Sequence, residues 1–217
     1  MKHSPTIPPP LRGLAERLRM HAVPAVADLE RPAAVLVPLV AGADDVEVLL
    51  IRRPDDLHEH AGQMACPGGS WDPTDASLWV TALREAREEV GIAPEAVAYV
   101  GPLPAVYIPR TRFTLVPFVG WLDRRPLLVP APREVAAAIW VPIGTLRRVR
   151  RTVVRTRGGV TGPFPEFDLP EGRVWGATAI FLDVLLATWP EAEIRTLVDT
   201  VGRPGGSGSG GEYGASD

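Results

Sequence analysis

Glu85, Glu88 and Glu89 fall within one five-residue stretch, joined by Arg87, preceded by Arg84 and free of lysine. At roughly 100° per residue, a helix sets Glu85 and Glu89 about 40° apart on one face, with Glu88 beside them. Like charges at this spacing oppose a helix by a few tenths of a kcal/mol. Hard divalent cations such as Mg²⁺ or Mn²⁺, which prefer carboxylate oxygens, would hold the three together. The competing reading is a solvated acidic face with Arg84 and Arg87 as counter-charges, and on the helix alone it is the stronger.

Two glycines shift the balance. Gly68 and Gly69 stand upstream of the helix, where a backbone without side chains lets N–H groups approach a ligand or a metal-bound phosphate. Trp79, Ala82, Leu83, Ala86 and Val90 gather on another side of the helix and give it an apolar stripe for a core. Gly91 is placed as its C-terminal cap, and Pro94 follows.

The stretch Pro67 to Ile92 resembles the Nudix box, a glycine followed by a glutamate and then by R-E-U-x-E-E-x-G-U, where U is aliphatic. Arg84, Glu85, Ala86, Glu88, Glu89, Gly91 and Ile92 match its second half. Asp75 stands where the first glutamate belongs, with one extra residue before Arg84; it could equally be the helix N-cap. A second motif resembles that of coenzyme A diphosphatases within this family. Leu49, Leu50, Arg53, Gly62, Pro67, Gly68 and Gly69 fit it at the same spacing. Ile51, Pro54, His58 and Cys66 depart from it.

The resemblance implies an α/β/α sandwich around a central mixed β-sheet, covering about Ala33 to Trp189. It also implies hydrolysis of a diphosphate with Mg²⁺ or Mn²⁺. Glu85 and Glu89 would be the main metal ligands with Glu88 assisting, and Arg84 an orienting ion-pair partner. Glu88 or Glu134 would serve as the proton acceptor, although Glu134 reads equally well as a strand-edge surface charge. Coenzyme A would give 3′,5′-ADP and 4′-phosphopantetheine. Its 3′-phosphate calls for arginine, with Arg53 ahead of Arg52, Arg110 and Arg112. Gly68, Gly69 and His58 complete the expected substrate contacts. ADP-ribose, NADH or a dinucleoside polyphosphate are alternative substrates, and a non-catalytic nucleotide-binding module is a different class of answer.

Other residues read mainly as structure. His58 and His60 form too sparse a set for a metal site. Cys66 replaces an aromatic residue and suits packing. The six arginines between Arg147 and Arg157 read as solvated charges across a hairpin. Trp175 to Ala179 resembles a recurring segment of the diphosphatases, but a tryptophan at a helix start usually belongs to a core.

These groups need elements to position them. Leu11, Leu14 and Leu18 mark a helix within Leu11 to Met20, packed on the domain or on a second subunit. Ala33–Val40 and Val46–Arg52 read as strands joined by a turn at Gly42 to Asp45. His58 to Ala65 delivers the chain to the glycines. Ala96–Tyr107 and Arg112–Leu122 read as a strand pair, Glu134–Val141 as a strand, and Pro142–Arg147 as a short helix. Arg151–Arg155 and Val160–Phe164 form a hairpin about Gly158 and Gly159. Val174–Trp189 is the second main helix, and Glu191–Val201 extends the helical region. The expected organisation is an extension over 1–32, a catalytic domain over 33–201 and a disordered Gly/Ser-rich tail over 202–217.

Composition bounds the rest. The 217 residues are 46% apolar and 23% charged, enough for a substantial core. A net charge of −3 gives no support for nucleic-acid binding. A lone cysteine excludes an intrachain disulfide framework. The apolar run Ala33 to Gly42 is too short to cross a bilayer. The expectation is a cytoplasmic protein acting on a small nucleotide, with no membrane or nucleic-acid partner, and a homodimer is compatible with it.

Overall fold

The computed structural model describes residues 6–54, 62–157 and 160–201. His58, His60, Gly158, Gly159 and the tail beyond Val201 lie outside them. In chain order the described elements are α1 (Arg12–Leu18), β1 (Arg31–Ala41), β2 (Val46–Arg52), β3 (Met64–Ala65), β4 (Gly68–Ser70) and α2 (Leu78–Val90). There follow β5 (Val97–Pro102), β6 (Val106–Ile108), β7 (Phe113–Leu122), β8 (Ala137–Pro142), α3 (Ile143–Val149) and β9 (Arg150–Arg157). The chain closes with β10 (Val160–Leu169), β11 (Gly172–Val174), α4 (Ala177–Thr188) and α5 (Glu191–Val201).

All eleven strands join one sheet in the order β5-β7-β1-β2-β3-β11-β10-β9, with β4 also on β1, β6 on β7 and β8 on β2. The sheet is mixed: β1–β7 and β3–β11 are parallel and the other pairs antiparallel.

Its central strands are apolar on both faces because both faces are covered. Alternation then sends successive side chains to opposite cores. Val35, Val37 and Leu39 of β1 meet Leu14, Leu18, Phe181, Leu185 and Ile194 on the face bearing α1, α4 and α5. Ala34, Leu36 and Val40 meet Leu78, Ala82, Ala86 and Val90 of α2 on the other. These three layers are the α/β/α arrangement around a mixed sheet.

The leucine-spaced N-terminal helix packs on this domain. Leu11, Leu14 and Leu18 are fully buried, each contributing about 2 kcal/mol by area. A Cβ on Gly101 of β5 would lie 2.6 Å from Leu18, so glycine there permits the close approach. Arg17 closes the face with a 2.5 Å ion pair to Glu193 on α5.

Three expectations change. The segment expected as a strand from Glu134 forms a turn first, with the Glu134 N–H donating to Ala131 O, and β8 starts at Ala137. The helix expected from Val174 starts at Ala177: Val174 pairs with Phe167 and Met64, and Gly176 takes φ 73°, ψ −142°, which breaks the helical path. Arg150, Arg151 and Arg155 of β9 are ion-paired. Arg151 and Arg155 reach Glu166, which is 1% exposed, while Arg150 pairs with Asp183 on α4.

Candidate active site

The ends of α2 are fixed locally. Ser77 is the N-cap, its hydroxyl accepting from Val80 N at 3.3 Å. Gly91 closes the helix at φ 75°, its N–H directed to Ala86 and Arg87 carbonyls. Asp75 is therefore not the cap.

Asp75 instead receives Arg84. The guanidinium Nε lies 3.2 Å from both carboxylate oxygens, and Nη2 reaches Oδ2 at 3.1 Å and Ser70 O at 2.9 Å. Thr81 donates its hydroxyl to the same carboxylate at 2.9 Å. Burial pushes the Asp75 carboxyl up, but the bonds from Arg84, Asp72 N–H and Thr81 more than reverse this and hold it below the usual range. Arg84 Nη1 turns to Glu85 at 2.9 Å and to Glu88 at 3.0 Å. Part of what relieves the glutamate repulsion is thus the arginine of the same helix.

Glu89 faces elsewhere. It is 4% exposed, and its Oε2 accepts the Gly68 N–H at 2.9 Å. Burial pushes its carboxyl up to about 8; the Gly68 bond opposes this, and the charges of Glu85 and Glu134 add to it. Glu85 is also raised, first by burial and opposed by Arg84.

The glycine pair explains how both carboxylates come to rest on one backbone segment. A Cβ on Gly69 would fall 2.5 Å from the Glu85 carboxylate. A Cβ on Gly68 would fall 2.5 Å from Ala34 O on the neighbouring strand. Glycine at 69 makes room for the acid, and glycine at 68 lets β4 lie against β1.

Among the described residues, no three His, Cys, Asp or Glu side chains already converge as a metal site, and Glu88 is turned onto Arg84. The donor set nevertheless fits a hard divalent ion. Glu89 is a buried carboxylate with one N–H donor, and Glu85 leans on the same glycine segment, so both offer the oxygen ligands such an ion prefers.

The 129–135 loop brings Glu134 to this site. Val129 N and Ala131 N donate to the carbonyls of Val90 and Glu89 at 2.9 and 2.8 Å. Glu134 is exposed, yet its charge acts on both Glu85 and Glu89.

A cleft of about 460 Å³ opens beside Glu89, Gly68 and Gly69. Arg53 lines it, with a buried Nε that has no hydrogen-bond partner among the described residues, and its positive charge acts on Glu89. Cys66 lines it too, but burial raises its thiol pKa far beyond the range of a nucleophile. Of the four arginines weighed for a phosphate contact, Arg53 alone lines this cleft, while Arg112 pairs with Glu30 at 2.6 Å.

Trp175 to Thr178 at the start of α4 also line the cleft, and sequence reasoning had left this run in the core. Gln63 Nε2 donates to Trp175 O at 3.0 Å, beside the Val174–Met64 pairing. The available signal was Gly176, a helix-breaking residue placed immediately before an apolar helical pattern.

The class the fold and site define is an α/β/α sandwich with a glycine-flanked acidic helix beside a cleft. The NUDIX domain family matches residues 30–174, and the chain belongs to that family. It is 45% identical over 122 residues to the uncharacterized Nudix hydrolase NudL of Cronobacter sakazakii, covering 56% of this chain and 62% of that protein. The NudL of Pectobacterium atrosepticum is 44% identical over 114 residues, covering 52% of this chain and 58% of the relative. The chain thus spans about six-tenths of the length of the curated relatives it matches. A crystal structure of a NUDIX hydrolase from Alicyclobacillus acidocaldarius shares the fold, with TM-score 0.53 and 22% identity over 81% of this chain and 97% of that one.

Proposed function

We propose that the chain is a metal-dependent hydrolase that cleaves the diphosphate of coenzyme A or its derivatives into 3′,5′-ADP and 4′-phosphopantetheine. The observation that carries this reading is one cleft bordered by both Glu89 on Gly68 and the unpartnered Arg53 Nε. Arg53 belongs to the upstream motif resembling the coenzyme A diphosphatases, and Glu89 to the Nudix box.

Glu85 and Glu89 would hold Mg²⁺ or Mn²⁺, with Glu88 joining on leaving Arg84. The ion supplies charge neutralisation at the diphosphate and a more acidic water. Gly68 and Gly69 let the substrate's phosphates approach the backbone, and Gly68 N–H keeps Glu89 in place. Arg84, locked by Asp75, fixes the orientation of the Glu85 carboxylate. Water adds its oxygen to phosphorus, the bridging P–O bond breaks, and Glu88 or Glu134 takes the water's proton. Positioning and electrostatics carry most of such a reaction.

Incubation of the protein with coenzyme A, dephospho-coenzyme A, ADP-ribose, NADH and dinucleoside polyphosphates, with each metal, tests this reading. Mass analysis should find 3′,5′-ADP and 4′-phosphopantetheine as the dominant pair. Faster turnover of ADP-ribose, NADH or a dinucleoside polyphosphate would overturn the substrate assignment.

A further inference from the structure

We propose that the amino end of α4 is a phosphate subsite. In it, the free N–H groups of Ala177 and Thr178, the Thr178 hydroxyl and Arg53 Nε receive a phosphoryl group of the substrate. The assignment rests on the diphosphate-hydrolase reading and adds to it a second wall of the cleft.

The helix is 12 residues long, follows Gly176 as an N-cap that offers no side chain, and has no acidic residue in its first turn. Its first N–H groups therefore lack intrahelical partners, and the positive end of its dipole is not neutralised locally. Such an end attracts anions.

A side chain of the first turn adds to this. Thr178 is only 6% exposed and lines the cleft, so the little surface it keeps faces that space. An observation independent of the helix comes from Arg53, just past β2, whose buried Nε has no partner among the described residues and lines the same cleft. Helix-terminal N–H groups, a hydroxyl and a guanidinium thus share one cavity, the last on a different part of the chain from the helix, a set that matches a phosphate's several acceptor oxygens.

Two phosphates of coenzyme A offer this chemistry, the 3′-monoester and the diphosphate. The whole protein and its Thr178→Val and Thr178→Ser variants are titrated calorimetrically with 3′,5′-ADP and with inorganic phosphate in EDTA. KM is measured in parallel for coenzyme A and dephospho-coenzyme A. Thr178→Val should weaken 3′,5′-ADP about tenfold, while Thr178→Ser stays near wild type. A KM rise confined to coenzyme A assigns the monoester, and a rise for both substrates assigns the diphosphate.

Should Thr178→Val fail to fold, Ala177→Pro removes one N–H at a helix position that accepts proline and should weaken the same ligand. A folded Thr178→Val or Ala177→Pro variant that binds 3′,5′-ADP and phosphate like wild type would overturn the subsite, as would a wild type that binds neither. Absence of coenzyme A hydrolysis with intact 3′,5′-ADP binding would instead remove the proposed reaction and leave the subsite standing.

Discussion

Asp75 and Arg84, nine residues apart, meet through Nε at 3.2 Å and Nη2 at 3.1 Å. The same guanidinium then spreads to Ser70 O, Glu85 and Glu88. One buried carboxylate thus anchors the arginine that spaces the helix's other acids. It occupies the place in the chain where the Nudix box carries glutamate, with one residue more before the arginine.

Asp75→Asn should consequently cost both stability and rate. The neutral side chain leaves Arg84 partly buried without its main charge partner, a loss of about 3 kcal/mol. Chemical denaturation would measure it, alongside kcat under saturating metal. An Asp75→Asn protein with wild-type stability and kcat would show that the anchor is dispensable.

The two glycines should fail in different ways. Gly68→Ala drives a Cβ into Ala34 O at 2.5 Å, backbone that can yield only by spoiling the β1–β4 pairing, and overpacking of this kind costs about 2–3 kcal/mol. Gly69→Ala meets first the side-chain end of Glu85, which can turn away without moving backbone. Its melting temperature should stay near wild type while Mn²⁺ affinity falls, as titrated by electron paramagnetic resonance. Equal melting losses for both variants would count against the distinction.

What could be read from the sequence is what local periodicity encodes. The α2 stripe, the Gly91 cap and the β1–β2 hairpin all depend on neighbours a few residues away. Arg84's choice of Asp75 was out of reach, since Asp75 could equally have capped the helix until Ser77 was seen to do so. The α4 contribution was hidden for a topological reason: Trp175 reaches the cleft only because Val174 pairs in parallel with Met64, a contact between distant segments. Glu134 was identified as a candidate but put on a strand, because the turn before β8 is fixed by hydrogen bonds from the 129–135 loop to the end of α2.

Glu166 should make stability depend on acid pH. It is 1% exposed. Burial raises its carboxyl, but the Arg155 bond and the charges of Arg155, Arg173 and Arg151 outweigh this and leave it below its ordinary value. The folded state therefore favours the ionised form. That stability is present above the unfolded pKa of about 4.3 and is lost as pH falls through the lower folded value. Glu166→Gln should be less stable than wild type at pH 7 by about 2 kcal/mol, with the gap closing toward pH 3. A gap constant across that range, measured by urea denaturation, would remove the ion cluster from the explanation.

Glu89 should show the opposite sign, and activity and stability should part there. Its carboxyl, pushed up to about 8 chiefly by burial, is ordinarily ionised above about 4.3 in the unfolded chain. In metal-free protein the folded state therefore favours the protonated acid, and stability falls as pH rises through that window. Glu89→Gln removes the buried charge while its amide oxygen can still accept the Gly68 N–H. Melted in EDTA, the variant should match wild type near pH 4.5 and exceed it increasingly toward pH 8.5. With Mg²⁺ and substrate it should lose at least about 10²-fold in kcat, because the carboxylate that costs stability is the one proposed to hold the ion. A variant that melts below wild type across this range in EDTA would mean that the Glu89 charge is stabilised by contacts other than Gly68 N–H and a metal.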